Sequence, residues 1–466
     1  MKPIHQLLFA FSLILFFPVF LSAQVPGSEE GIFLDTLKVG NMSLRLAITI
    51  SKNEEGSYTA TLNSLDQGSG EIPIDEVKIT GNHVFLNAKI GIQIEGNYDE
   101  DRNKITAEFR QGPGKFPLVF RRVDALQPLN RPQEPKPPFP YIAEEVVYKN
   151  EKADIELAGT FTIPEGEGPF PAVVLLTGSG PQNRDEQLLG HKPFLVIADF
   201  LTRNGIAVLR ADDRGVGAST GNFASATTAD FAEDGLAGIE YLKTRKEVNQ
   251  QMLGFIGHSE GGIMAPIAAS KSADVAWIIL LAGPGSNLGD NVTFQRIRMA
   301  RQAGASEESL KIQEKILQAV NNIVRKDISD EEVRLQVRQY FADLPETEKQ
   351  LLNWSDEMVD ALASQLLEAW WRYSLKHDPE ETLKSLDIPV LALLAEKDMQ
   401  VPVALNLSHL ERSLENGHQK SRVIVMPGLN HLFQHCDTGD GSEYVKIEET
   451  ISPEVLSLMA DWIKKL

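Results

Sequence analysis

The chain is short of three things, and each shortage narrows what it can be. It carries one cysteine, Cys436, in 466 residues, so no intrachain disulfide can staple it and its stability must come from its cores. Cys436 lies beside His435 and five residues after His431, but two ligands without a third make no zinc site. Basic residues are outnumbered by acidic ones, 45 to 65, for a formal charge of -20. That balance argues against nucleic acid and anionic membrane surfaces, which need clustered Lys and Arg. Long apolar runs are missing except from Leu7 to Leu21. Lys2 precedes that run and Ser22-Ala23-Gln24 follows it, the pattern of a cleavable signal peptide. No later run approaches the ~18 apolar residues that span a bilayer. We therefore expect a signal peptide over 1–23, cleavage after Ala23, a secreted or periplasmic protein, and no stable membrane insertion once the leader is gone. The absence of a cysteine near Ala23 argues against a lipid anchor, and the absence of disulfides favours a periplasm.

The length exceeds what one core normally serves, and the hydrophobic period changes along it. Leu44, Leu46, Ile48 and Ile50 alternate with polar residues, as do Val77 with Ile79, Val84 with Leu86, Ile90 with Ile92 and Ile94, and Ile105 with Ala107 and Phe109. Turn residues such as Gly56, Gly81-Asn82 and Asp101-Arg102-Asn103 separate these runs at hairpin spacing. The pattern predicts about eight antiparallel strands in a small β-barrel or sandwich over 24–126. Prolines at 128, 132, 135, 137, 138 and 140 read as a semi-rigid linker over 127–141. From residue 142 onward, buried strands alternate with helical stretches, which predicts a mostly parallel sheet with helices on both faces.

Within that second part, Gly257-His258-Ser259-Glu260-Gly261 follows the apolar run Met252 to Ile256 and precedes a helix of small residues. This is the pattern of a nucleophile elbow, in which flanking glycines let a strained serine stand clear of the sheet. A hydrolytic triad built on such an elbow takes its acid and then its histidine from farther along the chain. Asp398 lies just past the strand Pro389 to Leu394, and His431 just past the strand Arg422 to Met426. Strand C-termini converge in an open α/β sheet, so the three can meet. His431 would act as general base and acid, and Asp398 would fix its tautomer. Asp437 and Asp440 are the local alternatives for the acid. An oxyanion hole then needs two N–H donors. Glu260 supplies one, and the turn Thr177-Gly178-Ser179-Gly180-Pro181 after the strand Pro171 to Leu176 supplies the other, from Ser179 or, alternatively, Gly180.

Thr177 to Glu186, Asp213-Arg214-Gly215-Val216-Gly217-Ala218-Ser219, Gly257 to Gly262 and Asn430-His431-Leu432-Phe433-Gln434 together resemble the esterase and serine-aminopeptidase-like (S33-type) branch of the α/β-hydrolases, from about 142 to the C-terminus. The resemblance implies a loop at 213–219 beside the site, with Arg214 holding neighbouring loops by hydrogen bonds. Glu rather than Tyr after the serine resembles the carboxylesterases more than the prolyl-oligopeptidase-type peptidases. About a hundred residues separate the strand ending at Ala282 from the next at Ile388, too many for a plain connection. Helical spacing over 291–303, 307–325, 330–342 and 357–373 predicts a helical cap at about 286–387. Trp370 and Trp371 are its candidates for a substrate-pocket wall, although aromatics at helical spacing also serve as packing.

These residues point to an exported carboxylic ester hydrolase acting on small to medium acyl esters through an acyl-enzyme, with no cofactor or metal. The alternatives are an aminopeptidase or dipeptidase, a thioesterase, and a non-catalytic binding protein on a hydrolase scaffold. A peptidase of that kind would need an acidic anchor for a free α-amino group, for which Glu307, Glu308 and Glu357 are available. For the β-rich segment, a rim or dimerisation element is preferred over a substrate- or wall-binding module, because fold alone does not carry function.

Overall fold

The computed structural model describes residues 29–39, 42–53, 55–65, 71–112, 114–126, 129–352 and 354–466. The expected signal peptide lies outside them. The chain forms two compact units, one built mainly from residues before Pro128 and one mainly from Pro128 onward.

In the first unit, β1 (Gly31–Val39), β2 (Met42–Lys52), β3 (Tyr58–Ser64), β4 (Glu71–Pro73), β5 (Glu76–Thr80), β6 (His83–Ala88), β7 (Ile92–Asp99), β8 (Lys104–Gln111) and β9 (Gly114–Val123) form one sheet. Its order is β4-β3-β2-β1-β9-β8-β7-β6-β5. Strands β4 and β5 are joined by Ile74 and Asp75 alone, yet they end opposite sides of that order. The sheet must therefore curl until its edges approach, which makes a half-barrel. The alternation read from the sequence buries one face: Leu46, Ile48, Ile50, Leu62, Val84, Leu86, Ile94, Ile105, Phe109 and Phe120 fill the interior. Ile90 departs from the expected alternation. It sits beside Gly91, whose φ of +86° turns the chain, and is 64% exposed.

In the second unit, β10 (Ile142–Asn150), β11 (Ile155–Ile163), β12 (Phe170–Leu176), β13 (Ala207–Ala211), β14 (Val248–His258), β15 (Trp277–Leu281), β16 (Val390–Ala395) and β17 (Arg422–Met426) form a sheet ordered β10-β11-β13-β12-β14-β15-β16-β17. Strand β11 runs antiparallel to both neighbours, and the pairs from β13 to β17 are parallel. This is the α/β-hydrolase fold. Strand parity sorts the core: Val173, Leu175, Ile256, Ile279 and Leu391 pack on α1 (Pro193–Arg203) and α12 (Pro453–Ile463). Val174, Leu176, Phe255, Ile278 and Ala392 pack on α2 (Thr228–Lys243), α3 (Gly261–Ala269) and α11 (Val403–Leu414). The chain moves from β12 out to β13 and back to β14, so the sheet switches direction there, the position at which open α/β sheets place their ligand crevice.

The proline-rich run behaves differently from a free spacer. Arg131 donates to the carbonyls of Gly190 (3.1 Å), Ile447 (2.9 Å) and Val445 (3.0 Å). Gln133 donates to Ile451 O (2.7 Å) and accepts from Thr450 N–H (2.5 Å). Polar side chains between the prolines thus strap this run onto the second unit.

Between β15 and β16 lie α4 (Leu288–Gln302), α5 (Glu307–Arg325), α6 (Asp330–Ala342), α7 (Glu346–Leu352), α8 (Asp356–Leu366), α9 (Ala369–Lys376) and α10 (Pro379–Lys384). Ser306, Ser329 and Ser355 cap α5, α6 and α8 by accepting a backbone N–H of the first turn, each cap worth about 1 kcal/mol. Ile316, Val320, Val324, Val333, Val337, Phe341, Val359 and Leu362 give these helices a core of their own. Their root is pinned by fully buried Asn406, whose Oδ1 accepts from Gly285 N–H, Ser286 N–H and Ser286 Oγ. The helix expected over 357–373 is broken. Glu368 is extended (φ −58°, ψ 145°), and this break redirects α9 so that Trp370 reaches the end of β14.

Candidate active site

Ser259 sits between β14 and α3 with φ +52°, a left-handed conformation that costs of order 1–3 kcal/mol in a non-glycine residue and persists only where its surroundings impose it. The glycines on either side allow it. A Cβ on Gly257 would stand 2.0 Å from Gly261 O, and one on Gly261 would stand 2.1 Å from Leu176 O. Ser259 N–H donates to Leu281 O (2.8 Å), which ties the turn to β15.

Asp398 and His431 meet as expected from their places after β16 and β17. His431 Nδ1 lies 2.7 Å from Asp398 Oδ2, and both residues are 3% exposed. The other oxygen of Asp398 accepts from the N–H groups of Gln400 (2.7 Å) and Val401 (2.9 Å), so its carboxylate is fixed in direction. The His431 ring packs on His258, centroids 4.8 Å apart, which sets it against the elbow. The other acids are elsewhere: Asp440 binds Arg298 (2.9 Å) and Gln302 (2.7 Å), and Asp437 is exposed. Burial pushes the Cys436 thiol up, which makes it a poor nucleophile.

The turn after β12 runs over the serine, since a Cβ on Gly178 would lie 3.4 Å from Ser259 Cβ. Gly178 N–H is taken by Glu186 Oε1 (2.7 Å). Among the described residues, the N–H groups of Ser179, Gly180 and Glu260 donate to no protein acceptor. These are the three donors named from the sequence. Asp213 holds both ends of this turn, accepting from Thr177 Oγ1 (2.8 Å) and Gln182 N–H (2.8 Å), and burial pushes its carboxyl up to about 8. Arg214 donates to Asp234 (2.7 Å) and to Asp230 O (2.9 Å), so it ties the 213–219 loop to α2 rather than to another loop.

The Glu260 side chain turns inward and is 1% exposed. Its Oε1 accepts from Thr228 Oγ1 (2.7 Å) and from the indole of Trp370 (2.6 Å). Burial pushes this carboxyl above the ordinary glutamate range, and the contacts from Thr228, Trp370 and Ser179 only partly offset that. Among the described residues its Oε2 meets no hydrogen-bond partner. Of the two tryptophans named from the sequence, Trp370 therefore borders the elbow. Trp371 stacks edge-on against it (4.8 Å), packs on the core of the inserted helices and carries Arg296 over its ring (5.7 Å). Glu307, Glu308 and Glu357 are exposed in the first turns of α5 and α8, where acidic side chains complement the helix dipole.

Two further buried residues stand beside the elbow without a role that the sequence pattern assigns. Glu186, 2% exposed, has its Oε1 2.9 Å from His258 Nδ1, and His258 Nε2 lies 3.0 Å from His431 O. Both residues fall inside the motifs that carry the family resemblance, and the signal available for His258 was its place directly before the serine.

Residues 128–428 match the X-Pro dipeptidyl-peptidase (S15 family) model. Esterase EstD of Thermotoga maritima is 30% identical over 318 residues, 66% of this chain and 66% of that protein, so the chain spans just under two thirds of that relative. Among solved structures, the Pyrococcus furiosus esterase Pf2001 is 17% identical and covers 70% of this chain and 93% of its own, at a TM-score of 0.40. Est1E of Butyrivibrio proteoclasticus, solved with ferulic acid bound, is 16% identical over 69% and 96%, at 0.40. The family match covers the elbow, the turn after β12 and Asp398, and stops three residues short of His431: the chain belongs to the X-Pro dipeptidyl-peptidase (S15) family.

Proposed function

We propose that this chain is an exported serine hydrolase that cleaves small to medium carboxylic esters. The observation that carries the reading is the strained Ser259 at the crevice, with the buried His431–Asp398 pair set against the same turn. Ser259 Oγ attacks the ester carbonyl carbon while its proton passes to His431 Nε2. The carbonyl oxygen becomes an oxyanion held by the N–H groups of Glu260 and Ser179, or Gly180 in its place. Collapse breaks the C–O bond to the alcohol, which leaves with the proton from His431. Water then attacks the acyl-enzyme by the same route, giving the acid and restoring Ser259. Asp398 holds Nδ1–H throughout and stabilises the imidazolium. The inserted helices act as a cap that excludes water, with Trp370 as the wall nearest the serine. The EstD relationship supports an ester substrate.

A peptidase reading has one observation in its favour, the description of the matched family. Against it, the acid directly after the serine, Glu260, is turned inward and its accepting oxygen is taken by Thr228 and Trp370, so it is not presented to a free α-amino group. Comparing short p-nitrophenyl esters with aminoacyl and X-Pro p-nitroanilides separates the two readings. Esters should be turned over with kcat/KM at least 100-fold higher; the reverse ranking would reassign the enzyme to peptides. For export, expression with the native leader should place mature protein beginning at Gln24 in the periplasm or medium.

A further inference from the structure

Beneath the candidate triad lies a second histidine–carboxylate pair that the reaction sequence does not use. Glu186 stands at φ +50°, a conformation rare for a non-glycine residue, and its side chain is buried. One oxygen, Oε1, meets both Gly178 N–H (2.7 Å) and His258 Nδ1 (2.9 Å). The far nitrogen of the same ring meets His431 O (3.0 Å). A carbonyl oxygen accepts and cannot donate, so Nε2 of His258 must carry a proton. Oε1 already accepts from Gly178, and as a carboxylate oxygen it is best satisfied by a second donor, which places a proton on Nδ1 as well. Attraction to Glu186 raises the His258 pKa against the opposing cost of burial.

We infer that Glu186 and His258 are a positioning pair, in which one carboxylate oxygen and one doubly protonated imidazole lock together the oxyanion turn, the nucleophile strand and the backbone of His431. Gly178 adjoins Ser179 and His258 adjoins Ser259. A single buried contact thus sets the separation of the oxyanion donors, the serine and the base. Neither residue touches substrate; both act through Gly178, Ser259 and His431. Misplacing reacting groups by about 1 Å can cost about 100-fold in rate, which gives such a pair leverage on turnover without a contribution to binding.

The inference rests on the proposed esterase reading for its kinetic arm, and its spectroscopic arm is independent of activity. Glu186→Gln removes the negative charge that keeps His258 doubly protonated, and a singly protonated His258 that still donates to His431 O turns a bare Nδ1 toward the same atom that must accept from Gly178 N–H. We expect kcat for a short p-nitrophenyl ester to fall about 10- to 100-fold with KM within about threefold. His258→Gln, which can still donate to His431 O, should lose less. The double variant should be no slower than Glu186→Gln, because the two act as one unit. In ¹⁵N-histidine spectra at pH 7, Ser259→Ala protein should show His258 protonated at both nitrogens, and Glu186→Gln should abolish that signature. A parent inactive on esters would sink the esterase reading alone. A His258 with one bare ring nitrogen, or a Glu186→Gln enzyme with parental kcat, would overturn the positioning pair.

Discussion

The two units treat buried polarity in opposite ways. Among the described residues of the half-barrel, Ser64 is the one buried polar side chain, and the interior is otherwise apolar. The second unit buries Glu186, Asp212, His258, Glu260, Asp398 and His431 near its strand ends, all under 8% exposed. Burying ionisable groups costs stability unless they are paired and hydrogen-bonded. A fold that only needed to stand would resemble the half-barrel throughout. The second unit concentrates that cost at the C-terminal ends of β12, β13, β14, β16 and β17, where chemistry requires groups of defined charge and position.

The sharpest way to break this contrast is at the site itself. His431→Ala should lower kcat by about 10⁴- to 10⁶-fold with the fold intact, read as ester hydrolysis beside an unchanged circular dichroism spectrum. Asp398→Asn should cost about 10³- to 10⁴-fold by leaving His431 in the wrong tautomer. Asp437→Asn and Asp440→Asn should stay within about threefold, since a surface substitution away from the chemistry rarely matters; a near-parental Asp398→Asn enzyme would move the acid elsewhere.

Next in size is Leu86→Ala in the half-barrel, a fully packed residue. It should destabilise that unit by about 2–5 kcal/mol in denaturant melts while kcat holds, because Leu86 lies in the interior of the half-barrel and outside the candidate site. Trp370→Phe removes the indole donor from Glu260 and should cost about 1–3 kcal/mol of stability, together with a several-fold loss in kcat/KM. An unchanged enzyme would return Trp370 to simple packing.

The last effect is one of pH. Asp213 is pushed up to about 8 in the folded state, above its unfolded value near 3.9, so the folded form holds its proton more tightly than the unfolded one. Its contribution to stability is complete below about pH 4, declines as pH rises and is lost above about 8. Asp213→Asn should flatten that decline in a thermal midpoint series from pH 5 to 9. A parallel slope in parent and variant would assign it to other groups, Glu260 first, whose pKa is raised in the same sense.

Much of this was legible in the sequence because the pattern there is local or periodic. The alternation from Leu46 to Ile50 and from Val84 to Leu86 names the inner face of the half-barrel, and the glycines around Ser259 dictate an elbow whatever lies near it. What escaped depends on contacts across the fold. The break at Glu368 serves the Trp370–Glu260 contact, which joins residues 110 apart and opposes a continuous helical pattern. The Arg131 and Gln133 bonds to 445–451 turn a run that looks like a spacer into a docked strap. Glu186 and His258 are 72 residues apart, and no spacing rule links them.

The proposed reaction requires Ser259 to be a nucleophile activated by its surroundings. Treatment of the purified chain with a fluorophosphonate, followed by peptide mass spectrometry, tests this directly. It predicts one adduct per chain, on Ser259, absent from Ser259→Ala. No adduct on the parent, or an equal adduct on Ser259→Ala, would contradict it.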